Sequence, residues 1–188
     1  MPRFIAFLRA INVGGHVVKM DRLCQLFESL GFSRVETFIA SGNIVFETTA
    51  QDAKSLERKI ENKLRQALDY PVATFIRTDA ELADIANYKP FRQSDLDTAV
   101  ALNIAFLADP LDDKSKQELM ALRTDHDEFH VHGREIYWLS RRKQSESTIS
   151  NAIFEKTLGR QSTLRGVSTV RKIAARYSLS NSGDKSKR

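Results

Sequence analysis

The sequence predicts an α+β protein made of two similar halves, and three observations predict it. Strand-like and helix-like segments follow one order (strand, helix, hairpin, helix, strand, helix), and that order occurs twice. Two turns, Ser41-Gly42-Asn43 and Gly133-Arg134, each sit between short apolar runs, as in a hairpin. Hydrophobic residues at 41% and charged residues at 28% suit a globular chain with a real core. Strand–helix–strand–strand–helix–strand is the split βαβ, ferredoxin-like order. The halves therefore read as related by duplication, with mixed or antiparallel sheets and helices on one face. A repeat of about 95 residues is too long for a solenoid. The expected divisions are 1–90 and 91–179, each a βαββαβα half, with a boundary near Tyr88-Lys89-Pro90-Phe91 and a small, charged, disordered tail over 180–188.

The elements of the first half follow from local pattern. Phe4–Leu8 is a continuous apolar run, as a strand covered on both faces shows. Asn12-Val13-Gly14-Gly15-His16 breaks it. Met20, Leu23, Phe27 and Leu30, with Leu26 beside them, have helical spacing, and Gly31 is placed to end that helix in a left-handed cap. Val35–Ile39 and Ile44–Phe46 form the hairpin. Leu56, Ile60, Leu64 and Leu68 stripe a helix over Asp52–Leu68, stopped by Tyr70-Pro71. Val72–Ile76 is a strand, and Asp79–Ala86 a short helix capped by Thr78 or Asp79.

The second half repeats the order. Val100–Leu107 is an apolar strand, and Asp109-Pro110 starts a helix that runs to about Leu122. Phe129 and Val131 alternate with polar neighbours, and Glu135–Leu139 returns. Thr148–Leu158 is a helix ended by Gly159. A short extended piece around Thr163–Leu164 precedes a helix over Ser168–Tyr177.

Charge and cysteine content narrow the function class. The chain carries a formal net charge of +5, unevenly placed. From Arg134 onward, thirteen Lys and Arg residues face only Glu135, Glu146, Glu155 and Asp184, whereas acids dominate between Leu96 and Gly133. A basic C-terminal quarter suits phosphates or nucleic acid, although charge runs are more often solvated faces. No apolar run approaches the about 18 residues of a membrane span. A lone Cys24 allows no internal disulfide, which points to a reducing, cytoplasmic setting.

Five segments carry a family resemblance: Phe7-Leu8-Arg9-Ala10-Ile11-Asn12-Val13-Gly14-Gly15, the Met20–Phe32 helix, Ser41-Gly42-Asn43-Ile44-Val45-Phe46, Lys89-Pro90-Phe91, and Ile153-Phe154-Glu155-Lys156-Thr157-Leu158-Gly159. In this order they resemble the DUF-1697 family, a bacterial domain of unknown function. The family usually carries Ser-Lys before its penultimate helix, where this chain has Ser147-Thr148. It usually carries Thr-x-Arg-Asn-Trp-x-Thr before the last helix, where this chain has Thr163-Leu164-Arg165-Gly166-Val167-Ser168-Thr169. The resemblance implies a fold and an alteration at those positions. It implies no activity.

The candidate chemistry is that of an anion site. Gly14 and Gly15 let a ligand approach the backbone after a central strand, although neither nucleotide-binding glycine fingerprint is present. Arg9 and Asn12 flank that loop, and Ser41 and Asn43 stand at the first hairpin tip. Arg141, Arg142 and Ser147 lie between a strand end and a helix start, where cations and a serine cap suit an anion. Arg165 and Thr169 follow. His126, Glu128, His130 and His132 could hold a metal from one face of a strand, but Phe129 and Val131 already explain the alternation, and no metal or other cofactor is expected. Cys24 reads as a small core residue, and Tyr137-Trp138-Leu139 as core rather than a stacking platform. No nucleophile–base pair stands out. The chain therefore reads as a binding module for a phosphorylated small molecule or nucleic acid, near a cleft between the halves. An enzyme acting on a small anionic substrate there, or a protein–protein scaffold, is the alternative.

Overall fold

The computed structural model describes residues 1–39, 42–143 and 146–177. Ser41 and the tail over 180–188 lie outside the described residues. The element order is β1 (Arg3–Leu8), α1 (Met20–Glu28), β2 (Ser33–Thr37), β3 (Asn43–Glu47), α2 (Ala53–Leu68), β4 (Thr74–Thr78) and α3 (Asp79–Asn87). Then follow α4 (Gln93–Asp97), β5 (Ala101–Phe106), α5 (Asp113–Ala121), β6 (Asp127–His132), β7 (Glu135–Ser140), α6 (Asn151–Leu158), β8 (Thr163–Gly166) and α7 (Val167–Tyr177). Helices and two four-stranded sheets make the protein α+β. Contacts divide it into two compact units, Met1–Asp84 with the chain from Lys172 onward, and Ile85–Arg171.

The sheet of the first unit has the order β2-β3-β1-β4, with every neighbouring pair antiparallel. Phe4, Ala6 and Leu8 of β1, Ile44 and Phe46 of β3, and Ile76 of β4 share one face. Leu23, Leu26 and Phe27 of α1 and Leu56, Ile60 and Leu64 of α2 pack on it. The opposite face, with Ile5, Phe7, Val45 and Phe75, is buried as well, so β1 is covered on both faces as its apolar run requires. The strand β4 forms an edge, yet its outward amides are satisfied. Thr74 N donates to Glu61 Oε1 at 2.9 Å and Ile76 N to Glu57 Oε1 at 2.9 Å. Thr78 N donates to Glu81 Oε2, while Thr78 Oγ1 accepts from Glu81 N, a reciprocal cap that starts α3. Carboxylates in these places leave no ladder for a foreign strand.

The sheet of the second unit has the order β6-β7-β5-β8, again antiparallel throughout. Ala105, Phe129, Ile136 and Trp138 face a core completed by Leu119 of α5 and by Phe154 and Leu158 of α6. Two helix starts differ from the sequence pattern. The carboxylate of Asp112, not Asp109, accepts from Ser115 N at 2.8 Å, so α5 begins at Asp113. Ser150 Oγ accepts from Ile153 N at 3.2 Å, so α6 begins at Asn151. In each case the capping side chain nearest the first buried helical residue wins.

The end of α7 belongs to the first unit and is bonded within it. Tyr177 O accepts from Arg3 Nη1 at 2.7 Å, and its hydroxyl donates to Glu36 Oε2 at 2.8 Å. Arg176 pairs with the same carboxylate at 3.1 Å. Burial, aided by the bond to Glu36, pushes the Tyr177 hydroxyl up to about 12, against about 10 in an unfolded chain. The folded state holds this proton longer, so the contribution is complete below about pH 10 and lost as pH rises toward about 12. Thermal unfolding of the unaltered chain is therefore expected to weaken more steeply across that window than that of Tyr177→Phe. Parallel curves would disprove it.

Candidate functional site

In the first unit, the end of the sheet where β1 stops gathers most of the sequence candidates. Leu8 N donates to Gly42 O at 2.8 Å and Arg9 N to Ala73 O at 2.8 Å, so the loop after β1, the β2–β3 turn and the approach to β4 meet there. Backbone in the left-handed region concentrates in these segments: Ala10 at φ 53°, Gly14 at 70°, Gly15 at 85°, Ile39 at 57° and Gly42 at 73°. Glycine adopts such angles freely, but a β-branched residue does so at a cost of about 1–3 kcal/mol. Ile39 is therefore a strained position held by its surroundings.

The loop is tied at its base and open at its tip. Asn12 Oδ1 accepts from Val18 N at 2.7 Å. The Tyr70 hydroxyl donates to Ile11 O at 2.9 Å, and the His16 ring stacks on Tyr70 with centroids 4.0 Å apart. Among the described residues, no hydrogen bond takes up the backbone N–H of Val13, Gly14 or Gly15. A Cβ on Gly14 or Gly15 would meet nothing within 4 Å, so these glycines border open space. Val13 and Val17 of the same loop are exposed, as is Ile39. Arg9 is half-buried at the start of the loop. Asn43 is fully buried, and its Nδ2 donates to Phe38 O at 3.0 Å while its main-chain carbonyl accepts from Phe38 N at 2.9 Å, so side chain and backbone together close the hairpin.

In the second unit the sequence candidates have named partners. Arg141 donates from Nη1 to Glu128 Oε1 at 2.7 Å and from Nε to Thr98 Oγ1 at 3.0 Å, and lies 3.5 Å from Asp95. Thus the acidic middle of the sequence neutralises part of the basic quarter, as Asp112 does for Arg160 at 3.2 Å. Arg142 is exposed, as is Lys143. Ser147 Oγ donates to Asp127 Oδ2 at 3.4 Å and accepts from Ile149 N at 3.1 Å. Thr169 is half-buried on α7.

Arg165 is buried on β8, the edge strand across the sheet from β6, and donates to Thr163 Oγ1 and Leu164 O, both at 2.8 Å. Arg141 bonds toward β6, so the two arginines serve opposite edges. Burial pulls the Arg165 guanidinium down to about 10. Arg77 on β4 is its counterpart: Arg77 pairs with Ile5 of β1 and Arg165 with Ile104 of β5, and each guanidinium donates to the carbonyl of the preceding residue at 2.8 Å.

The histidine strand makes ring contacts. The described residues hold no group of three or more His, Cys, Asp or Glu side chains placed to share a metal. Instead His130 Nε2 shares a hydrogen bond with the Tyr88 hydroxyl at 2.9 Å, and His132 stacks on the Tyr88 ring. Burial chiefly, then His132 and Arg123, holds the His130 imidazole below its ordinary value. Glu128 pairs with Arg141, and His126 stands half-buried before β6. Burial, then Glu28 and Asp21, pushes the Cys24 thiol up, away from nucleophile chemistry. Sequence pattern overlooks Tyr70, Tyr88 and Asp127. Their partners Ile11, His130 and Ser147 lie 59, 42 and 20 residues away, so no short window marks those contacts.

Comparison with known proteins gives a family and a fold. A family model described as "Protein of unknown function (DUF1697)" matches residues 1–137. None of the curated proteins matches the chain. The solved structure of conserved bacterial protein SP0830 from Streptococcus pneumoniae is similar at a TM-score of 0.74 and 23% identity, over 94% of this chain and 98% of that one. No helix among the described residues is long and apolar enough to cross a membrane.

Proposed function

Because the chain belongs to the DUF1697 family, a protein family of unknown function, we propose a role from its own residues: it binds an anionic ligand, a phosphorylated small molecule or nucleic acid, at the loop after β1. The observation that carries this reading is the set of Val13, Gly14 and Gly15 amides, which take no hydrogen bond among the described residues and border open space. Donors of that kind, pre-positioned and a few residues after a cation, Arg9, bind oxyanions without reorganisation. Strain at Ile39 and Ala10 adds support, since such angles cluster at ligand sites. A cytoplasmic setting suits the lone Cys24.

The same reading extends to the origin of the fold. Each unit has a split βαβ element order and places its first strand between its third and fourth. We take each as ferredoxin-like and the pair as a duplication, a view supported by Arg77 and Arg165 at matching register.

The test is direct. The full chain is expected to be retained on heparin at low salt and released at moderate salt. Titration with inorganic pyrophosphate is expected to move the Gly14 and Gly15 amide resonances to saturation, and Arg9→Ala to weaken that binding by about tenfold, as loss of one charge-assisted bond does. Unmoved amides would end the proposal.

A further inference from the structure

Within the second unit, three rings step outward from the core to solvent. Tyr137 is buried, and its hydroxyl donates to Ile85 O at 2.9 Å. Tyr88 follows, with its centroid 5.3 Å from that of Tyr137. His132 lies on Tyr88 at 4.0 Å with planes 16° apart, a close parallel stack. The hydrogen bond between Tyr88 and His130 Nε2 fixes the middle ring, and Phe91 meets His130 edge-on at 6.5 Å. Residues 130 and 132 share one face of β6, so one aromatic side chain engages both.

A stack that belonged only to the core would end inside the core. This one ends at His132, which is exposed, and among the described residues no other ring lies against it. Basic residues adjoin Tyr88 and His132 in sequence: Lys89, exposed, follows Tyr88, and Arg134 follows the Gly133 turn after His132. The Arg123 guanidinium, bonded to Phe129 O at 3.2 Å, adds positive charge along the same strand. An open, pre-stacked ring with basic residues next to it in sequence suits a planar heterocycle that carries phosphate.

We propose that His132 and Tyr88 form a stacking site for the base of a nucleotide, either free or within a single-stranded nucleic acid. The site uses no residue of the loop after β1, so it stands or falls apart from the role proposed for that loop. The experiment is an aromatic-proton NMR titration of the full chain with adenosine monophosphate and, separately, with a short oligothymidylate. Saturable upfield shifts of the His132 and Tyr88 ring protons are expected. Saturation by the mononucleotide identifies a free-nucleotide site, and saturation by the oligomer alone identifies a strand-binding site. His132→Ala is expected to weaken binding by about tenfold or more, and His132→Phe, which keeps a ring to stack on, to retain it. Absence of saturable shifts with both probes overturns the proposal, as does undiminished binding by His132→Ala with its near-ultraviolet spectrum unchanged.

Discussion

Replacing Gly42 by alanine is expected to destabilise the protein by about 2–4 kcal/mol, read as a lowered urea midpoint. Two costs arise from one methyl group. Gly42 has φ 73°, where an L-residue is penalised by about 1–2 kcal/mol. The new Cβ would also stand 2.8 Å from Ile11 Cγ2 and 3.1 Å from Leu8 Cβ, closer than packed carbons approach, and overpacking of this kind costs about 1–3 kcal/mol. The two costs separate in a double-mutant cycle. Ile11→Ala removes the nearer methyl, so Gly42→Ala should cost less in that background by about 0.5–3 kcal/mol, the range for residues in contact. An undiminished cost would assign the effect to backbone strain and the remaining contact with Leu8 Cβ. The substitution also reaches the proposed anion site. Gly42 O accepts from Leu8 N, and Ile11 supplies the carbonyl that holds the Tyr70 hydroxyl. A shifted Ile11 loosens the base of the loop, so pyrophosphate affinity should fall together with stability.

The strands and helices were legible because their signals are local. Every strand and all but one helix carry an apolar period or a turn that a short window reveals, and the exception, α4, spans five residues and buries none of them. Gly159 caps α6 at φ 63°, as a helix-ending glycine should, whereas α1 already ends at Glu28 with Ser29 as its cap, and Gly31 takes its φ of 83° in the turn that follows. Boundaries slipped where two capping residues compete. Both Asp109 and Asp112 can cap α5, and the one whose carboxylate reaches Ser115 N does so. Pattern could not choose, since the choice depends on where Leu119 must point to be buried.

Side chains that look chemical in a sequence are often spoken for in the fold. Asn43 in a Ser-Gly-Asn turn reads as an exposed amide, yet it is buried and closes the hairpin on Phe38. Arg141 reads as a free cation, yet Glu128 and Asp95, remote in sequence, pair with it. Among the described residues, the unpartnered groups of this kind in the loop after β1 are the Val13, Gly14 and Gly15 backbone amides, which carry no letter of their own. Only Gly14 and Gly15 hinted at them, through the conformations that glycine permits. The outward run of the Tyr137, Tyr88 and His132 rings was hidden because a loop residue joins two strands, and no periodicity records such a meeting.

Trp138→Ala is expected to have the largest effect in the second unit, about 3–5 kcal/mol for deletion of a buried large aromatic. The indole stacks on Phe154 at 5.3 Å and 17° and lies 5.3 Å from Phe129, so its removal strips α6 of a ring stack on the sheet and leaves it the Phe129–Phe154 contact at 5.9 Å. Its Nε1 also donates to Asp127 Oδ1 at 2.8 Å. Asp127 is buried and takes further bonds from Thr124 Oγ1 at 3.2 Å and Ser147 Oγ at 3.4 Å. Trp138→Phe separates ring from hydrogen bond: it keeps the stack and costs about 1–3 kcal/mol for the acceptor left short of a donor. Because the chain has one tryptophan, unfolding should be followed by circular dichroism rather than fluorescence. If both variants cost the same, the carboxylate network rather than ring packing holds α6 in place. Asp127→Asn then becomes the informative change, because Ser147, and with it the segment leading into α6, would lose its anchor.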